Sequence, residues 1–219
     1  MKPRAIRGLY GMVDLAPSDS PSALIEEATR LTLALLDGGA RVLQLRMKQA
    51  SASAMLDCGQ VVRKLTTARE ALFFINDRVD VALVLGADGA HLGQDDLPLR
   101  VARQLVPEGF VLGISTHTLP QARTAAEEGA DYIGFGPCFP SGSKQDRWPA
   151  VGAAALAEVC AVVAVPVVAI GGITLENVAD VARAAVAAVA VIGAVKNAVD
   201  PLAAAVALCA AFYAARPSL

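Results

Sequence analysis

Residues 118–136, with the sequence TLPQARTAAEEGADYIGFG, contain the pattern that decides the fold class. Thr118-Leu119-Pro120-Gln121 predicts a capping box at the start of a helix, and Gly129 is predicted to end that helix before Ala130-Asp131. The apolar run from Tyr132 to Gly136 follows at once and has the length of a strand. The stretch therefore predicts a helix that leads directly into a strand, as in a repeated βα unit.

The Gly-Ala-Asp motif of residues 129–131 recurs at residues 86–88, directly before another strand-length run. Ser20-Pro21 is predicted to start a further helix as its N-cap and first residue, and Gly38-Gly39 to end it. Apolar runs of strand length alternate with such helices, at Leu9 to Val13, Arg41 to Leu45, Leu72 to Ile75, Gly89 to Leu92, Val111 to Ser115, Tyr132 to Gly136, Val167 to Ile170 and Ala188 to Ile192.

Eight βα units in this length predict the α/β class and a (β/α)8 TIM barrel. Because no linker-like run divides the chain, we expect a single domain over residues 1–219. A doubly wound open sheet shares the local pattern and stays an alternative. Between Ala184 and Val195, no glycine marks the end of the seventh helix, so periodicity does not separate helix from strand there.

The composition argues against several classes of partner. The 219 residues carry a formal net charge of −2 without a dense Lys/Arg cluster, which predicts no nucleic-acid or anionic-membrane partner. The longest apolar stretch, Val159 to Ile170, contains Pro166 and is too short to span a bilayer. The four cysteines form no C-x-x-C pair and no signal segment starts the chain, so we expect free thiols and a cytoplasmic location. Oligomeric state is open, and a homo-oligomer is compatible with the sequence.

Polar residues follow the predicted strands, where a barrel gathers its chemistry. Gln44, Arg46 and Lys48 alternate at the end of the second strand and so project to the same side. Asp77 follows the third strand and Asp96 the fourth. Each Asp alone would more often be a helix N-cap or turn residue. Carboxylates beside Lys and Arg nevertheless fit a site for Mg²⁺ and small phosphorylated substrates.

Glycine-rich strand ends complete this pattern. The loop after the sixth strand contains Ser141, Ser143 and Lys144, which can donate to phosphate oxygens, although Ser and Gly in a loop usually serve turns. Gly171-Gly172 follows the seventh strand and Gly193 the eighth, and their small size lets a phosphate approach the backbone closely.

The order of these motifs resembles the thiamine-phosphate synthase family over nearly the whole chain. The resemblance implies a (β/α)8 transferase that joins a hydroxymethylpyrimidine diphosphate to a thiazole phosphate and releases pyrophosphate. The matching stretches are LQLRMK at 43–48, FINDRVDVA at 74–82, GAHLGQDDLP at 89–98, GISTHT at 113–118, GADYIGFGP at 129–137 and VAIGGI at 168–173.

Position by position, the resemblance implies roles for individual residues. Asp77 and Asp96 would bind Mg²⁺, and catalysis would depend on Arg46, Lys48, Ser115 and Lys144. The implied contacts of the pyrimidine diphosphate are Gln44, Arg46, Lys48, Asn76, Ser115 and Lys144, and those of the thiazole phosphate are Ser141, Ser143, Gly172, Ile192 and Gly193. No side-chain nucleophile is needed, because an aminopyrimidine can support a cationic methylene.

The chain also departs from the family pattern. Ser141 and Ser143 stand where threonines are common, Gly193 stands where a serine is expected, and Ala187-Ala188 replaces the usual Gly-Ala-Asp-Gly punctuation. Two rival functions are a thiazole tautomerase of the same superfamily, which should lack the acidic pair, and a non-catalytic phosphate-ligand sensor.

Overall fold

The computed structural model of the chain describes residues 5–140 and 148–217. Its strands are β1 (Gly8–Asp14), β2 (Val42–Arg46), β3 (Leu72–Asn76), β4 (Gly89–Leu92), β5 (Val111–Thr116), β6 (Tyr132–Phe135), β7 (Val167–Ile170) and β8 (Ala188–Val191). Its helices are α1 (Pro21–Asp37), α2 (Ala52–Ala68), α3 (Val79–Val84), α4 (Leu99–Leu105), α5 (Leu119–Glu127), α6 (Gly152–Val162), α7 (Val178–Arg183), α8 (Gly193–Lys196) and α9 (Pro201–Ala215). Within the described ranges, no helix has the length and apolar character needed to cross a membrane.

The eight strands form a closed parallel barrel in chain order. β1 closes the sheet by pairing with β8, where Gly8 is aligned with Ala188. The closure confirms the predicted TIM barrel and excludes the doubly wound open sheet, which would leave two free edges. All eight predicted strands are present, and their ends differ from the predicted ends by at most one residue.

Two layers of side chains form the core. Tyr10, Phe74 and Tyr132 lie inside the barrel and are almost completely buried. Residues of the opposite alternation, such as Leu43, pack between the sheet and the helices. Gly113 makes room for an interior ring, since a Cβ atom at this position would lie 2.1 Å from Cζ of Tyr132.

The predicted capping residues form hydrogen bonds at the starts of α1 and α5. Ser20 Oγ accepts a hydrogen bond from the Ala23 N–H at 3.3 Å at the start of α1. In the capping box of α5, Thr118 Oγ1 accepts from the Gln121 N–H at 3.3 Å. The Gln121 side chain accepts from the His117 N–H at 2.8 Å, one residue earlier than a capping box requires. It therefore ties α5 to the end of β5.

The Gly-Ala-Asp motif links neighbouring strands by hydrogen bonds. Gly129 has φ +89°, a left-handed conformation that favours glycine. The Asp131 carboxylate accepts from the Leu112 N–H of β5 at 2.7 Å. Asp88 accepts in the same way from the Phe73 N–H of β3 at 2.8 Å. The motif thus ends a helix and ties the next strand to its neighbour.

The seventh unit forms without this motif. α7 ends at Arg183 and β8 begins at Ala188, which locates the boundary that periodicity left open. Between them Ala185 has φ +60°, the left-handed conformation that Gly39, Gly86 and Gly129 adopt before β2, β4 and β6. Because Cβ crowds the backbone in this region, alanine there costs on the order of 1–2 kcal/mol.

Candidate active site

A cavity of about 1110 Å³ opens at the C-terminal end of the barrel. The predicted site residues that line it are Arg46, Lys48, Asn76, Asp77, Asp96, Ser115, Gly172, Ile192 and Gly193. A smaller inner cavity of about 30 Å³ shares Arg46, Asn76 and Ser115 with it and reaches Gln44. The strand ends therefore bring these residues together, as the barrel prediction requires.

Three predicted site residues, Ser141, Ser143 and Lys144, lie outside the described part of the chain. Their contacts with substrate stay predictions. Pro140 and Trp148, the described residues nearest to them in sequence, both line the main cavity.

Asp77 is held in an uncommon backbone conformation at the mouth of the barrel. Its φ is +64°, and the Arg78 N–H donates to the Asn76 carbonyl across it at 2.8 Å, which makes a γ-turn. The Asp77 N–H donates to the His91 carbonyl of β4 at 2.8 Å. Such a conformation costs on the order of 1–3 kcal/mol in a residue other than glycine, and it is found mainly at functional sites.

Asp77 and Asp96 form a close acidic pair. Burial, followed by the hydrogen bond and negative charge of Asp96, raises the pKa of Asp77 to about 6, against a smaller opposite effect of Lys48 and Arg46. Lys48 Nζ lies 3.7 Å from Asp77 Oδ2. Asp96 Oδ2 also accepts from the Gly93 N–H at 2.6 Å, which fixes its orientation. The like charges lack a full counter-charge, and a cation bound between them would supply it.

This donor set fits Mg²⁺ better than a cage-forming metal. Among the residues that the structure describes, no group of three or more His, Cys, Asp or Glu side chains could hold a metal ion. Mg²⁺ usually takes only one or two carboxylates and completes its shell with water and substrate phosphate. Asp77 and Asp96 are therefore a suitable protein contribution to such a shell.

Arg46 is oriented by two residues that the sequence analysis missed. Its Nη1 donates to the carboxylate of Asp14 at the end of β1, and Lys196 Nζ lies 3.5 Å from the same carboxylate. Arg46 Nε is buried and has no hydrogen-bond partner among the described residues. The pairing uses one of the five N–H donors of the guanidinium and holds it at the cavity, where the remaining donors can serve an anion. Asp14 follows the alternation of β1, so strand parity could have identified it.

The inner cavity ends at Gln44, which is 2% exposed. Its Nε2 donates to Tyr10 Oη at 2.8 Å, whereas its Oε1 is buried without a partner among the described residues. An unpaired buried acceptor is costly. Gln44 is therefore suited to accept a hydrogen bond from an amino group of a ligand in this cavity.

The structure gives a further reason for glycine at residue 172, besides the predicted close approach of a phosphate. The φ of Gly172 is +62°, and a Cβ atom there would lie 2.6 Å from the Phe139 carbonyl oxygen and 2.7 Å from that of Pro140. The protein's own backbone therefore already requires glycine, whether or not a ligand approaches. Gly193 is different, because a Cβ atom there would be 3.4 Å from Asn197 Nδ2 and would fit.

An aromatic pair lines the mouth of the cavity. His117 and Trp148 are stacked with ring centroids 4.8 Å apart and an interplanar angle of 11°. His117 Nδ1 lies 2.6 Å from the Gly136 carbonyl oxygen. Neither ring was singled out from the sequence, because their stacking depends on a contact across 31 residues of chain.

Comparison with known proteins finds a family model and relatives that are similar to this chain in sequence. The family model described as thiamine monophosphate synthase matches residues 18–195. A thiamine-phosphate synthase from Anaeromyxobacter dehalogenans is 52% identical over 183 residues, which cover 84% of this chain and 82% of that protein. One from Chlorobium phaeovibrioides is 47% identical over 185 residues, covering 84% of this chain and 88% of the relative.

Solved structures agree with these sequence matches. Thiamine phosphate pyrophosphorylase from Pyrococcus furiosus superposes with a TM-score of 0.82 at 34% identity, covering 96% of this chain and 97% of that one. A 3-hexulose-6-phosphate synthase superposes with a TM-score of 0.67 at 17% identity, which shows a shared fold alone.

Proposed function

The chain belongs to the thiamine monophosphate synthase family and is a transferase that makes thiamine phosphate, and from this premise we propose how it does so. Its substrates are 4-amino-2-methyl-5-(diphosphooxymethyl)pyrimidine and a thiazole phosphate or its carboxylated form, and its second product is pyrophosphate. The reaction is a dissociative, Mg²⁺-assisted loss of diphosphate followed by attack of the thiazole nitrogen.

The observation that carries this proposal is the acidic pair beside basic side chains. Asp77 and Asp96 line the same cavity as Arg46 and Lys48. Asp77 and Asp96 would hold Mg²⁺, which when bound supplies positive charge to the diphosphate oxygens. The basic pair adds further positive charge on the same side. A leaving group with a high negative charge is the ligand that such a site would stabilise.

Bond breaking in this site needs no protein nucleophile. The C–O bond between the pyrimidine methylene and the diphosphate breaks, and its electron pair leaves with the diphosphate. Arg46 and Lys48, with Lys144 by family resemblance, bind the departing group. Gln44 Oε1 accepts from the pyrimidine amino group, which holds the ring as positive charge spreads over it. Asn76 and Ser115 contribute further hydrogen bonds to this substrate.

The second substrate is placed at the ends of β7 and β8. Gly172, Ile192 and Gly193 line the cavity there and offer backbone N–H groups to the thiazole phosphate. By resemblance, Ser141 and Ser143 add hydroxyl donors. The thiazole nitrogen then forms the new C–N bond with the cationic methylene. Exclusion of water from the site would keep the cation from being trapped as the alcohol.

The rival functions explain less of the site. A thiazole tautomerase has no diphosphate to stabilise and so no use for Asp77 and Asp96. A phosphate sensor needs no leaving-group chemistry. The compartment that we propose is the reducing cytoplasm, which is consistent with free thiols at Cys58, Cys138, Cys160 and Cys209.

A two-substrate turnover assay tests the proposal. The purified protein, Mg²⁺ and both substrates should yield thiamine phosphate and pyrophosphate in equal amounts. Omission of the thiazole phosphate should leave slow formation of the pyrimidine alcohol. Turnover of the thiazole carboxylate tautomer alone would instead support the tautomerase, and tight binding without any product would support the sensor.

A further inference from the structure

A chain of hydrogen-bonded side chains crosses the barrel interior and ends at the cavity. It begins with Gln44 Nε2, which donates to Tyr10 Oη at 2.8 Å. Tyr10 Oη and Tyr132 Oη are 2.9 Å apart, and Tyr132 Oη lies 2.9 Å from His91 Nδ1. His91 Nε2 lies 2.9 Å from Ser115 Oγ. These five residues, here called the interior chain, come from five different strands.

The interior chain is fixed by packing. Tyr10, Phe74 and Tyr132 form an aromatic cluster with ring centroids 5.6–6.1 Å apart. The His91 and Tyr132 rings are 5.4 Å apart. A Cβ atom at Gly134 would lie 3.2 Å from His91 Cε1, so the glycine leaves room for the imidazole. This packing restricts the movement of the rings that carry the hydroxyl and imidazole groups.

The direction of donation follows from the first bond. Because the amide nitrogen of Gln44 can only donate, Tyr10 Oη accepts from it and gives its own hydrogen to Tyr132. Tyr132 in turn donates to His91 Nδ1. Burial raises the pKa of both phenols, so each keeps the hydrogen that this order requires. A neutral imidazole that accepts at Nδ1 carries its hydrogen on Nε2.

We propose that the interior chain fixes His91 as the Nε2–H tautomer and thereby makes Ser115 a hydrogen-bond donor toward the substrate. The imidazole donates to Ser115 Oγ, so the Ser115 hydroxyl hydrogen is left to point into the cavity. The Gln94 side chain donates to the Ser115 backbone carbonyl at 2.7 Å and fixes the main chain of the same residue. His91 is thus a positioning residue, and Tyr10 and Tyr132 act through it.

This inference rests on the proposed function for the identity of the group that Ser115 meets. A phosphate oxygen of the pyrimidine diphosphate accepts the oriented hydrogen bond. Donation that strengthens as negative charge develops on the acceptor lowers the barrier more than it tightens binding. Loss of the interior chain should therefore affect kcat more than KM.

Nitrogen-15 NMR of the ligand-free protein tests the tautomer directly. The chain has two histidines, so imidazole labelling gives two resolvable ring systems. At about pH 8, where an ordinary histidine is neutral, His91 should be the Nε2–H tautomer. His117 serves as the internal reference, because its Nδ1 faces a carbonyl oxygen and must carry a hydrogen. An Nδ1–H tautomer at His91 would reverse the interior chain and overturn the proposal.

Hydroxyl deletion tests the consequence for catalysis. Tyr132→Phe keeps the ring and removes the donor to His91, so the spectrum should show a mixture of His91 tautomers. We expect kcat to fall by about tenfold, the value of one typical hydrogen bond, with KM for the pyrimidine diphosphate nearly unchanged. Tyr213→Phe, at a half-exposed position on α9, is the matched control and should leave both values at the parent level.

The two proposals can fail separately. A parent protein that shows the Nε2–H tautomer but makes no thiamine phosphate would reject the proposed function and leave the orientation of Ser115 intact. An active parent whose Tyr132→Phe variant retains the parent kcat and a single His91 tautomer would reject the positioning role. His91→Gln keeps an N–H donor and should retain more activity than His91→Leu, whereas equal loss would indicate a packing role alone.

Discussion

Removal of the Asp77 charge should stabilise the metal-free protein. In the folded state the pKa of Asp77 is raised from 3.8 to about 6 by burial and by Asp96. The folded protein therefore binds this proton more tightly than the unfolded chain does. Stability is unaffected below about pH 4, falls as the pH rises toward 6, and carries the full cost above that. Asp77→Asn should abolish this loss, and asparagine tolerates the left-handed conformation of the γ-turn.

The size of the effect can be worked from the structure. A shift of about two units corresponds to about 3 kcal/mol. The Asp77 side chain is 26% exposed, so solvent screening reduces the expected gain in unfolding free energy to about 1–2 kcal/mol. For a protein of this length, the gain is roughly 2–8 °C in Tm.

Thermal unfolding in the presence of chelator measures this difference. Asp77→Asn should melt above the parent at about pH 7.5 and close to it at about pH 4.5. Added Mg²⁺ should raise the Tm of the parent at the higher pH but not that of the variant. Asp77→Ala is the control for the turn, because it removes the charge but introduces left-handed strain. A variant that melts below the parent at both pH values would refute the reasoning about the acidic pair.

The remaining predictions concern three positions. Ala185→Gly should raise the free energy of unfolding by about 1 kcal/mol, since glycine relieves the left-handed strain, and a denaturant titration that shows no gain would contradict this. Gly193→Ser should lower KM for the thiazole phosphate by adding a hydroxyl donor, whereas Gly193→Ala, which adds only Cβ, should not; equal effects would rule out the hydroxyl. Lys144→Ala should lower kcat more than it raises KM, by about 2–4 kcal/mol in barrier, with Lys144→Arg recovering only part, and parent-level kinetics would remove Lys144 from the site.

Most of the fold was predicted from the glycine residues that end helices and from the alternation of strand-length runs with helices. The Gly-Ala-Asp motif before Gly89 and Tyr132 marks helix ends and strand starts because one backbone conformation and one carboxylate bond recur there. The seventh unit was harder to predict, since Ala185 adopts the same conformation without the residue that signals it. Ala185 itself is exposed, whereas the residues on either side of it, Ala184 and Val186, are buried.

The candidate site was predictable where its residues directly follow a strand in the sequence. Asp77 and Asp96 each follow a strand, so barrel closure alone brings them to one end. Residues that act across the barrel were missed, because contacts such as that between His91 and Tyr132 exist only after the sheet closes. The cause assigned to Gly172 was incomplete for the same reason, since the Phe139 carbonyl that excludes a side chain lies on another loop.

Metal dependence of pyrophosphate release tests the central claim most directly. With both substrates present, the rate should fall to background in excess chelator and return when Mg²⁺ is added beyond the chelator. The dependence follows from the acidic pair, which would hold the ion beside the departing diphosphate. Full activity in chelator, after metal analysis has verified a metal-free protein, would contradict the account.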